Sequence, residues 1–285
     1  MNKVKFIKSK DTNYIFHMLS VARCGYDNAY GDGYRGIYPA QDLKIIKENE
    51  SLLTVCGGEH CGLLYGILVS EPACANISAK CYYARLAESI DKGEPPDGPL
   101  RKYAGIIHAV SSVMVKYYDH YMTNIWIKEE EKIDEYIPQI LRFFEDTGFS
   151  DRAEMMVGHK LPHDCFKATL VTSVENGAEA IDISEELDVF GIERDPLDAF
   201  YFIGHEFIIC LLFDALKEEN AFHTFETWPL TEGLAEYYLK KVMGDTRFIN
   251  EQLKWVTFYE KCESTWKQQS PVDLYRHGLQ AINVL

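Results

Sequence analysis

Apolar residues fill positions 199 to 213 almost without a break, reading AFYFIGHEFIICLLF, and this pattern predicts a helix buried on all sides. Its start is marked by Asp195, placed to accept the free amides of a first turn, and by Pro196, which suits the first helical position. From there the helix is expected to run through His205 towards Glu219. A connector holding His223, Thr227 and Pro229 leads to a second helix, LTEGLAEYYLKKVMG, ending near Gly244. Further helical segments are expected at 247–267 and 271–283. Upstream, between Arg152 and Ser184, the runs MMVG, FKATLVTS and AEAIDIS are separated by HKLPHD and ENG and predict three short strands.

The first half of the chain is more mixed. A helix-like opening is followed by the Gly- and Tyr-rich stretch GYDNAYGDGYRGIYP, expected to be a loop. The runs LLTVC and LLYGILV on either side of GGEHCG predict a hairpin. The strongest breaker is EPPDGP at 94–99, and from Leu100 to about Phe144 the periodicity is helical, with Pro138 expected to mark a boundary or kink. The charged stretch KEEEKIDE at 128–135 reads as a solvated helical face. A division follows into a mixed α/β region, residues 1–127, and a C-terminal domain, residues 128–285.

Composition bounds the partners. With 285 residues and 47% hydrophobic content the chain can bury a sizeable core. A formal net charge of −15 disfavours nucleic acid and anionic membrane surfaces, which require clustered Lys and Arg. No secretory signal is recognisable, and the apolar helix around His205 reads as a buried helix, not a span, because a His-Glu pair sits at its centre. A cytoplasmic location is expected, with the eight cysteines as reduced thiols. Cys56, His60 and Cys61, with Cys74 and Cys81, have a wider spacing than structural zinc sites use.

Chemistry concentrates at His205 and Glu206, since a carboxylate in an apolar helix requires a metal, a proton or a hydrogen-bonding partner. His-Glu also begins the zinc peptidase motif HExxH, but Ile209 stands where the second His belongs. Downstream, residues 232 to 236 spell EGLAE. Strands, then HE on an apolar helix, then EGLAE on the next: over about residues 150 to 262 the chain resembles the gluzincin metallopeptidases.

That resemblance implies an α+β zincin-like domain, in which a small sheet precedes an active-site helix and a helical C-terminal part. It implies zinc or another divalent metal and hydrolysis of a peptide or protein substrate. By position, His205 matches the first metal ligand, Glu206 the general base and Glu232 the third ligand. Ile209 leaves the second ligand to be found elsewhere, with His223 and Glu236 as candidates and His159, His163 and Cys210 as weaker ones; Cys210 lies about 140° round the helix from His205. The Gly of EGLAE is expected to let the two helices approach closely. Two further readings stand beside hydrolysis. One is a non-catalytic zincin-like protein, a pseudoenzyme that binds a peptide or protein. The other is a purely structural arrangement, with Glu232, Glu236 and Lys240 as an exposed i, i+4 ladder.

Overall fold

The computed structural model describes residues 2–54, 62–161, 163–175, 178–182, 187–192, 195–217, 227–245, 253–266 and 269–282. The chain opens with strand β1 (Val4–Ile7) and helix α1 (Lys10–Val21), whose first turn is capped by Ser9 Oγ accepting from the Thr12 amide at 3.1 Å. Short helices α2 (Ala29–Arg35), α3 (Ala40–Lys47) and α4 (Glu50–Leu53) follow, then a π-helical turn Gly66–Ser70, α5 (Glu71–Cys74) and α6 (Ala79–Asp91). A 3-10 turn at Gly98–Tyr103 leads into α7 (Ala104–Asn124), α8 (Trp126–Thr147) and α9 (Phe149–Val157). The second half contains β2 (Phe166–Val171), β3 (Ala178–Asp182), β4 (Leu187–Gly191), α10 (Pro196–Leu216), α11 (Trp228–Met243), α12 (Leu253–Thr265) and α13 (Pro271–Ile282).

The class is α+β: a largely helical protein around one small sheet. Strand order is β1-β2-β4-β3, with β1, β2 and β4 parallel and β3 antiparallel to β4 at the edge. Since Val4 pairs with Phe166, the regions on either side of residue 127 share this sheet. Helix α10 packs against it through Phe202 on Phe190 and Phe207 on Phe166, with ring centroids 6.1 and 5.9 Å apart. Its other side meets α8 and α9 through Phe200 on Phe144 and Phe207 on Phe149. Packing on both sides explains why α10 is apolar all round. Among the described residues it is the single helix long and apolar enough to cross a membrane, and most of it is buried inside the protein.

Several sequence expectations change. The opening VKFI is a strand, because it finds a parallel partner more than 150 residues away in the chain. The Gly- and Tyr-rich stretch contains α2, capped by Asn28 Oδ1 on the Gly31 amide. The described parts of the expected hairpin are helical, ending in α4 on one side and entering the π-helical turn on the other; residues 55–61 lie outside the described residues. Leu64 and Leu68 are both buried and stand one helical turn apart. MMVG belongs to the end of α9, and LDVFG is a strand that the apolar pattern did not single out. Pro138 lies inside α8 and ends nothing. Helices α10 and α11 follow the expected course, with Asp195 Oδ1 accepting from the Leu197 amide at 2.9 Å and Gly244 closing α11 at φ 92°.

Candidate functional site

Helices α10 and α11 bring His205 against two carboxylates one turn apart. Nε2 of His205 lies 3.0 Å from Oε2 of Glu232, and Nδ1 makes a 2.6 Å ion-pair contact with Oε1 of Glu236. Both ring nitrogens thus face a carboxylate. His205 and Glu236 are almost fully buried, at 4% and 2% exposure, while Glu232 is only partly covered. Burial by itself disfavours the charged imidazole. The Glu232 and Glu236 carboxylates, with the negative charge of Glu206, outweigh it and hold His205 well above its ordinary value.

The exposed-ladder expectation is corrected here: Glu236 points inward to His205, and Lys240 pairs with Glu260 of α12 at 2.6 Å. The glycine of EGLAE also plays a different part. A Cβ on Gly233 would stand 2.2 Å from Cβ of Trp255, so this glycine admits α12. Close approach of α10 to its neighbours falls instead to Gly204, whose added Cβ would meet Phe149 Cζ at 2.9 Å and Leu239 Cδ1 of α11 at 3.4 Å.

Glu206 faces the sheet. It lies one turn beyond Phe202, which packs on Phe190, and Asp188 lies two residues before Phe190 on the same face of β4. Asp188 is therefore set opposite Glu206. Asp188 is 3% exposed, and its Oδ1 is buried without a hydrogen-bond partner. Burial, then the neighbouring Glu206 charge, pushes the Asp188 carboxyl well above the usual carboxylate range. Glu206, half-buried, is pushed up to about 7, by burial first; His205 opposes this and the charges of Glu232 and Glu236 add to it. Sequence reasoning missed Asp188, since β4 was not recognised; a lone acid in an otherwise apolar LDVF run was the available signal.

Both shifts favour the protonated folded state. A Glu206 carboxyl held at about 7 against an ordinary 4.5 stabilises the fold fully below the lower value, and that contribution is lost as pH rises through the upper one. His205 acts in the same sense, its contribution complete below 6.5 and lost through its higher folded value. Urea titrations of wild type and Glu206→Gln are expected to show the wild type losing stability relative to the variant from about pH 5 to pH 8. A difference that stays flat or runs the other way would contradict this.

A catalytic zinc requires three protein ligands plus an open position, and its imidazoles must be neutral. The described donors do not fit: one edge of His205 and Glu232 face each other, Glu236 occupies the other nitrogen, and Ile209, one turn after His205, is buried and has no donor atom. Among the described residues no three His, Cys, Asp or Glu side chains are grouped to hold a metal ion. His223 lies outside the described residues, as do Cys56, His60 and Cys61. His159 lines a separate cleft with Lys3, Asp151 and Glu154. Cys210 is buried, and Cys74 and Cys81 are exposed.

A second buried polar cluster, which the sequence did not announce, joins α1, α2, α7 and α8. His17 Nδ1 lies 2.5 Å from the Tyr30 hydroxyl and Nε2 lies 2.7 Å from that of Tyr38. Tyr30 and Tyr121 both donate to Glu129, a residue of the supposedly solvated KEEEKIDE face that turns inward and is 2% exposed. Burial, helped by His120, lowers His17 to about 3, so the ring is neutral, and proton counting assigns its hydrogen to Nδ1. Every hydrogen-bonding position of the ring is used. The cluster is a fully engaged brace between helices.

Compared with known proteins, the chain matches no family model, no curated protein and no solved structure.

Proposed function

We propose that this chain is a zincin-like protein of the gluzincin type that binds a peptide or protein segment without hydrolysing it, a pseudoenzyme in the cytoplasm. The observation carrying this reading is the double engagement of His205 by Glu232 and Glu236, with apolar Ile209 where a second ligand would stand. An imidazole held in its charged form between two carboxylates satisfies the site with a proton instead of a metal. The order of small sheet, His-Glu helix and EGLAE helix supports the zincin-like fold. The acidic net charge argues against nucleic acid and membrane partners.

One observation favours a second reading, metal-dependent peptide hydrolysis with Glu206 as general base. A carboxylate behind Nδ1 is the arrangement that orients metal-binding imidazoles, and Glu206 near 7 lies in the range of a working base.

Metal analysis of full-length protein purified without chelator separates the two. The expected result is less than about one tenth of an equivalent of zinc, manganese or iron, no zinc-induced rise in thermal midpoint, and zinc binding gained in Ile209→His, which adds an imidazole one turn from His205. Stoichiometric metal in the wild type, lost in His205→Ala, would overturn the binding-protein reading in favour of hydrolysis.

A further inference from the structure

Tyr82, Arg85, Leu86 and Ser89 follow helical spacing on one face of α6 and line a cleft of about 570 Å³. Ile67 of the π-helical turn and Glu71 of α5 join them, as does Glu94 to Asp97, the segment that the sequence marks as its strongest breaker. Small-molecule sites span roughly 300–1,000 Å³. None of these residues belongs to α10 or α11, so the cleft is separate from His205.

Its lining is fixed before any ligand arrives. The Tyr82 hydroxyl donates to the Ile67 carbonyl oxygen at 3.0 Å and to Oε2 of Glu71 at 2.6 Å, while the Tyr83 hydroxyl donates to the next carbonyl of the π-helical turn, that of Leu68, at 2.6 Å. Two tyrosines of α6 thus hold the turn. The breaker is pinned where it leaves the helix: the Glu94 amide donates to the Ser89 carbonyl oxygen at 2.9 Å, and Ser89 Oγ donates to that of Glu94 at 2.7 Å. Pro95 and Pro96 then restrict the backbone between Glu94 and Asp97.

Within this frame, charges of opposite sign stay apart. Arg85, Glu94 and Asp97 line the same cleft, yet among the described residues their side chains form neither ion pair nor hydrogen bond. Glu71 differs, since its carboxylate already accepts from Tyr82. Half-buried Ile67, Ile77, Leu86, Pro95 and Pro96 supply apolar surface. A free guanidinium suits a carboxylate, which can accept two parallel hydrogen bonds from its planar fork, and free carboxylates suit an ammonium, which only donates.

We infer that this cleft binds a small zwitterion with an apolar body, an apolar amino acid or dipeptide carrying a free ammonium and a free carboxylate. Arg85 takes the carboxylate, Glu94 and Asp97 take the ammonium, and the apolar side chain lies among Ile67, Ile77, Leu86 and the two prolines. A ligand with both charges completes both halves of the lining.

Equilibrium dialysis of the full-length protein tests this with four probes: phenylalanine, the dipeptide Phe-Phe, phenethylamine, which lacks the carboxylate, and 3-phenylpropanoate, which lacks the ammonium. At least one zwitterion is expected to bind saturably with a dissociation constant of about 1 mM or less, and both truncated probes at least about tenfold more weakly. Whichever zwitterion binds more tightly identifies the source. Arg85→Gln should weaken zwitterion binding by about tenfold or more and leave phenethylamine unchanged. Arg85 is exposed and loses no partner, so the thermal midpoint should hold; if it falls, Arg85→Lys, which keeps the charge without the fork, carries the same test. No saturable zwitterion binding up to about 10 mM would overturn the inference, as would a truncated probe held as tightly as the zwitterions, or affinity unaltered in the folded Arg85 variant. None of these outcomes bears on the reading of His205.

Discussion

His205→Ala is expected to destabilise the protein by about 3–5 kcal/mol, because breaking a buried ion pair leaves its partner uncompensated. Glu236 has 2% exposure and its carboxylate meets His205 at 2.6 Å. With the imidazole gone, that carboxylate must ionise unpaired, take up a proton or draw in water, and the space vacated between α10 and α11 adds a cavity. Urea unfolding at neutral pH measures the loss. The double variant His205→Ala/Glu236→Leu should recover a large part of it, since an apolar pair can replace a buried ionic one. A loss under about 1 kcal/mol would mean that α11 does not depend on this contact, and the account of His205 as a proton-bridged centre would fail with it.

What the sequence revealed of this centre, and what it concealed, follows from the range of the interactions. The Asp195 cap, Pro196, the apolar course of α10 and the Gly244 terminus are signals spread over a few residues, and the structure has them where they were expected. His205, Glu232 and Glu236 come together because two adjacent helices pack side by side. The inward turn of Glu236 was concealed, since Glu232, Glu236 and Lys240 have the same spacing whether a helix face meets water or another helix. Sheet partners were less legible still: β1 is four residues long and depends on Phe166, and β4 is a central strand too short for alternation to separate from its surroundings. Asp188 was lost with β4. Glu129 shows the same limit, an acid in a charged run that a distant tyrosine, Tyr30, turns inward.

The strand that carries Asp188 depends on a glycine, and Gly191→Ala is expected to cost about 3 kcal/mol or more, beyond the usual 1–3 kcal/mol of overpacking. Gly191 ends β4 opposite Val171, and a Cβ there would fall 1.4 Å from the carbonyl oxygen of Val174 and 2.6 Å from its carbonyl carbon. The obstruction is backbone, so no rotamer change relieves it; either the segment after β2 moves or the end of β4 lifts from the sheet. Gly33→Ala provides the contrast. That glycine lies in α2 with nothing within 4 Å of an added Cβ, and alanine there should leave stability unchanged or raise it by up to about 1 kcal/mol. If urea titration found Gly191→Ala within 1 kcal/mol of wild type, the close passage of Val174 over β4 would be wrong. If the variant folds at reduced stability, the displacement of β4 should be felt three residues away. Asp188 would no longer stand opposite Glu206.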